Sequence, residues 1–164
     1  MSAIATPAPL RVGLISDTHR LLRREALAFL RGSDHIIHAG DICDPRILEE
    51  LAALAPLTAV RGNNDHGPWA ESLPEVVDLG LGGINIRIIH DLADLVRVAR
   101  VAAPGDMTIR VVVSGHSHKP AIQERDGILY VNPGSAGPRR FKLPIAVGEL
   151  RIRGRSVSAR IVQL

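Results

Sequence analysis

The stretch Leu10-Arg11-Val12-Gly13-Leu14-Ile15-Ser16-Asp17-Thr18-His19 decides the fold, because it joins an apolar run to a pair of polar side chains. Residues 10–15 predict a buried strand, and apolar side chains at helical spacing predict a helix over residues 22–31. Strand, loop and helix in this order are typical of an open α/β sheet, whose ligand sites lie past the carboxyl ends of its strands. We therefore expect Asp17 and His19 to lie at such a strand end.

The same order recurs further along the chain. Predicted strands at residues 35–38 and 57–60 are followed by loops that carry Asp41 and Asn63. Between these loops, Asp44-Pro45 favours the start of a second helix, because Asp accepts backbone N–H bonds at an N-cap and Pro suits the first helical position. Polar side chains thus follow three predicted strands in succession.

Three histidines also follow predicted strands. A predicted hairpin over residues 75–89 ends directly before His90. Residues 109–114 are rich in Val and Ile, which predicts a buried strand, and His116 and His118 come directly after it. We expect all three imidazoles at strand ends.

The second half of the chain changes from helices to hairpins. Residues 92–103 have helical character, whereas residues 121–131 and 145–163 predict two antiparallel hairpins. Alternating strands and helices followed by hairpins predict an α/β fold with a mixed sheet or two packed sheets. One domain over residues 1–164 fits this length, with residues 1–9 as a frayed start.

The composition excludes several classes of protein. A chain of 164 residues with 46% hydrophobic residues buries an ordinary core. The net charge of +3 gives a weak attraction for phosphate, but the basic residues are scattered and the aromatic residues far apart, so nucleic-acid binding is not favoured. No apolar run reaches the roughly 18 residues of a membrane span. Cys43 is the single cysteine, which excludes an internal disulfide and favours a reducing cytoplasm. The sequence leaves a homo-oligomer open.

Seven polar side chains share the position just past a predicted strand end, and their types suit metal binding. They are Asp17, His19, Asp41, Asn63, His90, His116 and His118. Carboxylates, imidazoles and an amide without a thiolate suit Mn, Fe, Zn, Co or Ni better than Ca or Mg. Each motif alone also fits a helix cap, a core histidine or ordinary loop hydrogen bonding. Their joint occurrence favours two metal sites that share Asp41 as a bridge.

Five motifs in this order resemble the successive motifs of the calcineurin-like metallophosphoesterase superfamily. They are Asp17-Thr18-His19, Gly40-Asp41, Gly62-Asn63-Asn64-Asp65, His90 and Gly115-His116-Ser117-His118. The chain is most similar to the small single-domain bacterial and archaeal phosphodiesterase branch, whose further motif is present as Asn132-Pro133-Gly134-Ser135. The resemblance implies a four-layer αββα sandwich with two mixed β-sheets and two metal ions at the strand ends.

The resemblance also implies a role for each ligand. The first ion would be held by Asp17, His19, Asp41 and His118, and the second by Asp41, Asn63, His90 and His116. Both would be divalent transition-metal ions, with manganese as the first choice. A hydroxide that bridges the ions would attack phosphorus in line, with Asp41 and Asn63 at the catalytic centre.

Two departures from the family pattern concern catalysis. Many relatives have His at the position of Asn64, and there the His protonates the leaving group, which an amide cannot do at neutral pH. His66 is the candidate replacement as general acid, and a surface histidine without a catalytic role is the competing interpretation. Where relatives often have His-Gly-His, this chain has His90-Asp91-Leu92, so a contact beside the centre is lost or altered.

Polar residues next to the site loops are candidates for contact with substrate phosphate. We predict substrate contacts from Arg61, Asn64 and Arg139, and Lys119 and Arg140 are further candidates. Solvated surface charge is the alternative interpretation of each basic residue. Whether these five side chains lie close enough to the metal site to contact phosphate depends on the fold.

Three more residues have predicted supporting roles. Asp65 should fix its loop by accepting hydrogen bonds from backbone N–H groups. His38 should orient the loop of Asp41, and Cys43 should be a small buried hydrophobe. None of the three is a predicted metal ligand.

The sequence therefore predicts a metal-dependent phosphodiesterase that hydrolyses small phosphate esters. The alternative is a non-catalytic protein-interaction scaffold of the same fold. A nuclease ranks lower, because the chain lacks an added domain that would hold a polymer. The intact set of seven candidate ligands favours the enzyme over the scaffold.

Overall fold

The computed structural model describes residues 8–99 and 108–164, which contain two five-stranded mixed sheets. In chain order the strands are β1 (Leu10–Ile15), β2 (His35–His38), β3 (Leu57–Ala59), β4 (Val76–Leu81), β5 (Ile84–Ile89), β6 (Val111–Val113), β7 (Ala121–Arg125), β8 (Ile128–Asn132), β9 (Ala146–Arg153) and β10 (Ser156–Gln163). The α-helices are α1 (Arg24–Leu30), α2 (Pro45–Ala52), α3 (Pro68–Glu71) and α4 (Leu95–Ala99).

Each sheet has parallel strands at its centre. The first has the order β10-β9-β1-β2-β3, in which β1, β2 and β3 are parallel and β9 and β10 antiparallel to their neighbours. The second has the order β4-β5-β6-β8-β7, in which β5, β6 and β8 are parallel. Because parallel strands end at one edge of a sheet, the loops after β1, β2 and β3 lie side by side, as do those after β5, β6 and β8.

The core has three parts that define the layers. The space between the sheets is filled by branched aliphatic side chains from both, among them Val12, Leu14, Ile37, Ile86, Ile88 and Val111. On the outer face of the first sheet, α1 and α2 bury Ala26, Leu30, Ile47 and Leu51. On the outer face of the second sheet, Leu95 of α4 packs near Ile89 and Val112. This arrangement of layers confirms the predicted four-layer αββα sandwich.

Two aspartates start helical segments. The side chain of Asp44 accepts a hydrogen bond from the Arg46 N–H at 3.0 Å, and Pro45 is the first residue of α2, as the sequence predicts. Asp91 caps a 3-10 turn, Leu92–Asp94, by accepting from the Ala93 N–H at 3.0 Å. In both cases the carboxylate satisfies a backbone donor that has no partner inside the helix.

The helices differ most from the prediction. The segment predicted over residues 92–103 is a 3-10 turn followed by α4, and residues 100–103 lie outside the described residues. The helix predicted over residues 22–31 is limited to α1, and α3 was not predicted because four residues are too few for a periodic pattern. Strand bounds agree to within two residues.

No helix among the described residues is long and apolar enough to cross a membrane. Residues 1–7, which make up most of the predicted frayed start, lie outside the described residues. The extent of the single domain over residues 1–164 stays a prediction.

Candidate metal centre

The seven predicted ligands meet at one edge of the sandwich. Asp17 and His19 follow β1, Asp41 follows β2 and Asn63 comes after β3. From the second sheet, His90 follows β5 directly, and the loop of His116 and His118 follows β6. The packing of the two sheets thus brings together side chains that are up to 101 positions apart in sequence.

Asp17 is the most informative of these side chains, because one of its oxygens has no hydrogen-bond partner. The residue is fully buried, and its Oδ2 accepts hydrogen bonds from Ser16 Oγ at 2.6 Å and the His116 N–H at 3.1 Å. Its Oδ1 is left without a partner in the described part of the chain. An unpaired buried carboxylate oxygen is costly, and a cation would compensate it.

Three imidazoles surround this unpaired oxygen. The Nε2 atoms of His118, His19 and His90 lie 3.3, 3.9 and 4.0 Å from Asp17 Oδ1. The Nε2 atoms of His19 and His118 are 3.3 Å apart. Lone pairs of a carboxylate and several imidazoles point into one small space, which is the arrangement that a transition-metal ion requires.

Asp41 lies between the two halves of the centre. Its Oδ2 is 3.6 Å from His19 Nε2 on one side and 3.4 Å from His90 Nε2 on the other. Burial raises the pKa of its carboxyl, but hydrogen bonding to His90 and Asn64 outweighs burial and holds that pKa well below the usual range. Asp41 is therefore an anion at any physiological pH, in a position to contact ligands on both sides.

Asn63 joins two histidines on the second side. Its Oδ1 is 3.0 Å from His90 Nε2 and 3.2 Å from His116 Nδ1. His90 Nδ1 lies 2.7 Å from the Ala39 carbonyl, to which it donates, so a neutral His90 presents a bare Nε2 to Asp41 and Asn63. Either a proton or a cation must separate these acceptors.

The pKa values of two histidines agree with this geometry. Burial lowers the pKa of His90, but contacts with Asp41 and Asp17 outweigh burial and raise it. For His19, burial is the largest effect and lowers the pKa despite Asp41 nearby. The raised pKa of His90 shows that the site favours a positive charge beside Asp41. A metal ion can supply that charge in place of the proton on His90.

Most of the predicted ligands have an unusual backbone conformation. Five of the seven have positive φ: Asp17 (54°), His19 (43°), Asp41 (56°), His116 (68°) and His118 (59°). Non-glycine residues in this region cost about 1–3 kcal/mol each and persist only where the surroundings enforce them. The strain indicates that the loops are held in this conformation for a function.

Asp65 and two glycines hold the loops together. The Asp65 carboxylate accepts from the backbone N–H groups of Asp41 (3.0 Å), Cys43 (2.8 Å) and Gly62 (2.8 Å), as the sequence predicts. A side chain at Gly62 would collide with the Asp41 carboxylate, and one at Gly115 with Ser16. These glycines are required because backbone segments approach closely around the carboxylates.

His38 fixes the loops after β1 and β2 through hydrogen bonds at both of its ring nitrogens. It is fully buried, and burial lowers its pKa to about 3, so it is neutral. Its Nδ1 accepts from the Gly40 N–H at 3.1 Å, which leaves Nε2 as the donor to Thr18 Oγ1 at 3.0 Å. Thr18 lies between Asp17 and His19, so His38 orients both loops.

The candidate general acid and substrate residues lie around the opening. His66 is exposed and lines a cavity of about 350 Å³ with His19 and Asn64. Arg61 lines a second cavity of about 150 Å³ next to Asn63 and is 3.1 Å from Glu75. Asn64 was predicted to contact substrate. In the structure its backbone N–H and its Nδ2 donate to the two Asp41 oxygens at 2.9 and 2.8 Å.

Arg139 is exposed and lines none of the cavities described here. The charge of its neighbour Arg140 adds to the lowering of the His19 pKa by burial, and Asp41 acts in the opposite direction. Cys43 is half-buried rather than buried, with Sγ 3.7 Å from His19 Nδ1. Burial raises the pKa of its thiol to about 12, so Cys43 stays protonated.

Sequence reasoning missed several supporting residues. Asp91 Oδ2 lies 3.5 Å from His116 Nε2, on the side of the ring opposite Asn63. Ser135 Oγ donates to the Asp17 carbonyl at 3.0 Å, and Asn132 Nδ2 donates to the Gly115 carbonyl at 2.8 Å. The motif that contains Asn132 and Ser135 marked the family, but its contacts depend on the packing of the sheets.

The fold and the donor set together define a class of protein. Carboxylates, imidazoles and an amide oxygen at the carboxyl ends of two packed sheets are typical of hydrolases that act through divalent metal ions. Residues 10–154 match the calcineurin-like phosphoesterase superfamily domain. The chain belongs to this superfamily, whose members are metal-dependent phosphoesterases.

Three archaeal relatives agree with this assignment. The chain is 35% identical over 131 residues to a probable metallophosphoesterase of Methanocaldococcus jannaschii, which covers 76% of this chain and 67% of the relative. It is 33% identical over 162 residues to a probable metallophosphoesterase of Methanothermobacter thermautotrophicus, with 93% and 91% covered. A phosphodiesterase of M. jannaschii is 28% identical over 142 residues, with 76% and 83% covered.

Solved structures agree on the fold. Vacuolar protein sorting 29 from Cryptosporidium parvum superposes with a TM-score of 0.79 at 22% sequence identity, covering 96% of this chain and 93% of that one. At this level of identity the similarity concerns the fold alone. It confirms the two-sheet architecture predicted from the sequence.

Proposed function

We propose that the protein is a dinuclear metal-dependent phosphodiesterase that hydrolyses small phosphate esters. The observation that carries this proposal is the unpaired, fully buried Asp17 Oδ1 among the Nε2 atoms of three histidines. The residues present fit a metal ion there, because a buried carboxylate oxygen and several imidazole nitrogens converge on one small space. The phosphodiesterase name of one relative supports the choice of diesters.

We assign the ligands in two sets that share Asp41. The first set is Asp17, His19, Asp41 and His118, and the second is Asp41, Asn63, His90 and His116. The ligand atoms of Asp17, His19 and His118 lie within 4.8 Å of one another, which supports the first set. Asp41 Oδ2 lies 3.6 Å from His19 Nε2 and 3.4 Å from His90 Nε2, which supports its place in both sets. Divalent ions held by these residues would supply a hydroxide nucleophile and would neutralise charge on the phosphoryl oxygens.

The surrounding residues have distinct tasks in this proposal. Asn64 holds Asp41 through two donated hydrogen bonds, which keep its oxygens aimed at the ligands on either side. Arg61 lies at the wall of the cavity beside Asn63, from which it can contact a phosphoryl oxygen. His66, at the rim of the other cavity, protonates the leaving group.

The proposal also includes the identity of the metal ions and the cellular location of the protein. Manganese is the first choice among Mn, Zn, Fe, Co and Ni, because the ligand set mixes oxygen with imidazole nitrogen and lacks a thiolate. The absence of a second cysteine is compatible with a cytoplasmic location.

A non-catalytic scaffold is the second candidate function, favoured by the shared fold with vacuolar protein sorting 29. The two candidates differ in what the site must do. A scaffold does not need an unpaired buried carboxylate or five strained ligand positions, whereas a catalyst does. We therefore favour the enzyme.

Metal titration of single variants tests the shared ligand. The wild-type protein should bind two Mn²⁺ ions per chain and hydrolyse bis(p-nitrophenyl) phosphate. Asp41→Asn should weaken both ions together, whereas His19→Ala should weaken mainly the first, because only Asp41 belongs to both sets. Calorimetric titration and elemental analysis provide the counts. One ion at saturation, equal losses in the two variants, or binding of two ions without hydrolysis would each contradict the proposal.

A further inference from the structure

The loop between β8 and β9 carries an aromatic side chain in an unusual position. Phe141 is 92% exposed, and its backbone has a φ of 53°. Phe29, Trp69 and Tyr130, by contrast, are partly buried. A bulky residue at positive φ is a strained outlier, so the loop conformation holds the ring in solvent against its intrinsic preferences.

Phe141 is part of a larger concave surface. With Lys142, Leu143, Ser117 and Lys119 it lines a mostly apolar cavity of about 760 Å³. We call this the Phe141 cavity. Its volume is in the range of sites for small organic ligands, which are concave and apolar with a few polar groups.

The loop around Phe141 is strongly basic. Arg139, Arg140 and Lys142 flank the ring, and residues 133–144 contain no Asp or Glu. Lys119, from the loop after β6, adds a further cation to the lining of the cavity. An aromatic ring surrounded by cations favours a ligand that is both flat and anionic.

The Phe141 cavity adjoins the metal centre. Ser117 stands between His116 and His118, and its Oγ is fixed by hydrogen bonds from Asn132 Nδ2 at 3.1 Å and the Lys119 N–H at 3.2 Å. A ligand with its phosphorus at the metal centre can therefore extend into the cavity.

We propose that the Phe141 cavity binds the nucleoside part of a nucleoside phosphodiester whose phosphorus lies at the metal centre. This inference rests on the proposed function and specifies its substrate class. A base stacks on an exposed aromatic face, and a single face suits one nucleoside rather than a long strand. In the reaction water adds to phosphorus, the bond to the leaving oxygen breaks, and that oxygen takes one water proton, which releases a nucleoside monophosphate.

Two esters with the same leaving group test the proposal. Thymidine 5′-(p-nitrophenyl phosphate) and methyl p-nitrophenyl phosphate release the same nitrophenolate, so they differ only in the group that would enter the cavity. The Mn-loaded wild-type protein should prefer the thymidine ester in kcat/KM. Phe141→Ala should lower this preference roughly 5- to 100-fold, the range for loss of one base–aromatic stack, and Phe141→Trp should restore it. Ile122→Ala, which removes an exposed side chain on β7, is the matched control and should leave the preference unchanged.

Direct binding separates this inference from the proposed function. Thymidine 5′-monophosphate should bind the Mn-loaded protein more tightly than ethyl phosphate in equilibrium dialysis, and Phe141→Ala should remove the difference. An unchanged preference in Phe141→Ala with normal turnover would overturn the inference alone, whereas no turnover of either ester would overturn the proposed function. A wild-type dimer in sedimentation that Phe141→Ala converts to a monomer would show that the cavity faces a second copy, which would also overturn the inference.

Discussion

At the scale of single residues, the candidate site depends on atoms that lack ordinary partners. Asp17 Oδ1 and His118 Nδ1 are both buried without a hydrogen bond in the described part of the chain. Nearby backbone positions are strained, and the surrounding hydrogen bonds from Ser16, Asn64 and the loop amides fix the ligands in place. Local instability of this kind is tolerated where a bound group compensates it.

Asp91 should position His116 for metal binding. His116 Nδ1 faces Asn63, and its Nε2 lies 3.5 Å from Asp91, so the carboxylate holds the proton on Nε2 and leaves Nδ1 free as a ligand. Asp91→Asn should weaken Mn²⁺ binding at the second site about 10- to 100-fold and spare the first. The matched control is Asp126→Asn, in the exposed turn between β7 and β8. Calorimetric titration that shows equal weakening of both sites would contradict this role.

His66 should assist poor leaving groups only. A nitrophenolate leaves without a proton, whereas an alkoxide needs one, and acid assistance is worth about 10²–10⁴-fold. His66→Ala should therefore spare nitrophenyl diesters and slow alkyl diesters by that factor. An equal effect on both classes would mean that His66 supports the loop instead. A shallow dependence on leaving-group pKa that persists in the variant would indicate a different acid.

At the scale of elements, an ion cluster joins β1, β9 and β10 to the end of α1. Glu149 is 2% exposed, and its carboxylate accepts from Arg11 Nε at 2.5 Å, Arg151 Nε at 3.2 Å and Arg160 Nε at 3.2 Å. Arg11 also donates to the Phe29 and Arg31 carbonyls, where α1 ends. The cluster fixes the end of the helix to the sheet.

Replacement of Glu149 should destabilise the fold in a pH-dependent way. Burial raises the pKa of Glu149, but hydrogen bonds from Arg11 and Arg151 outweigh burial and lower it. A lowered folded-state pKa means that the carboxylate stabilises above the unfolded value of about 4.3, and that this contribution is lost as the pH falls through the folded pKa. Glu149→Gln should cost about 1.5–3 kcal/mol near neutral pH, and less in acid.

Urea unfolding at neutral and acidic pH measures this effect. Glu124→Gln, on the exposed strand β7, is the matched control and should change stability little at either pH. A cost for Glu149→Gln that is the same at both pH values would contradict the electrostatic explanation.

The sequence was most informative about strands and about polar residues at their ends. Short apolar runs before Asp17 and Asp41 predicted strands that are mostly buried, and a hairpin pattern predicted the strand before His90. Strand ends determine where such polar residues meet. The contact of Asp91 with His116 could not be predicted, since it depends on how the loops after β5 and β6 lie relative to each other. The number of residues between Asp91 and His116 does not predict whether their side chains meet.

At the scale of the whole molecule, the centre connects the two sheets. Asp17 and Asp41 come from the first sheet, and His90 and His118 come from the second. A bound ion would therefore join the two halves of the sandwich as well as serve the chemistry. Whatever binds only the folded state stabilises it by mass action, about 2.7 kcal/mol at a concentration 100 times its Kd.

Asp17→Asn should reverse its effect on stability when metal is added. Without metal, the variant replaces the unpaired buried Oδ1 by an amide nitrogen that faces His118 Nε2. The Asn oxygen can still accept from Ser16 Oγ and the His116 N–H. The chelated variant should therefore be at least as stable as the chelated wild-type protein. With excess Mn²⁺ the wild-type protein should gain about 2–3 kcal/mol, and the variant much less. Urea unfolding with EDTA and with Mn²⁺ gives both comparisons, with Asp126→Asn as the control. A chelated variant clearly less stable than wild type would show that Asp17 stabilises the fold by itself, and a wild-type protein indifferent to Mn²⁺ would contradict the metal centre.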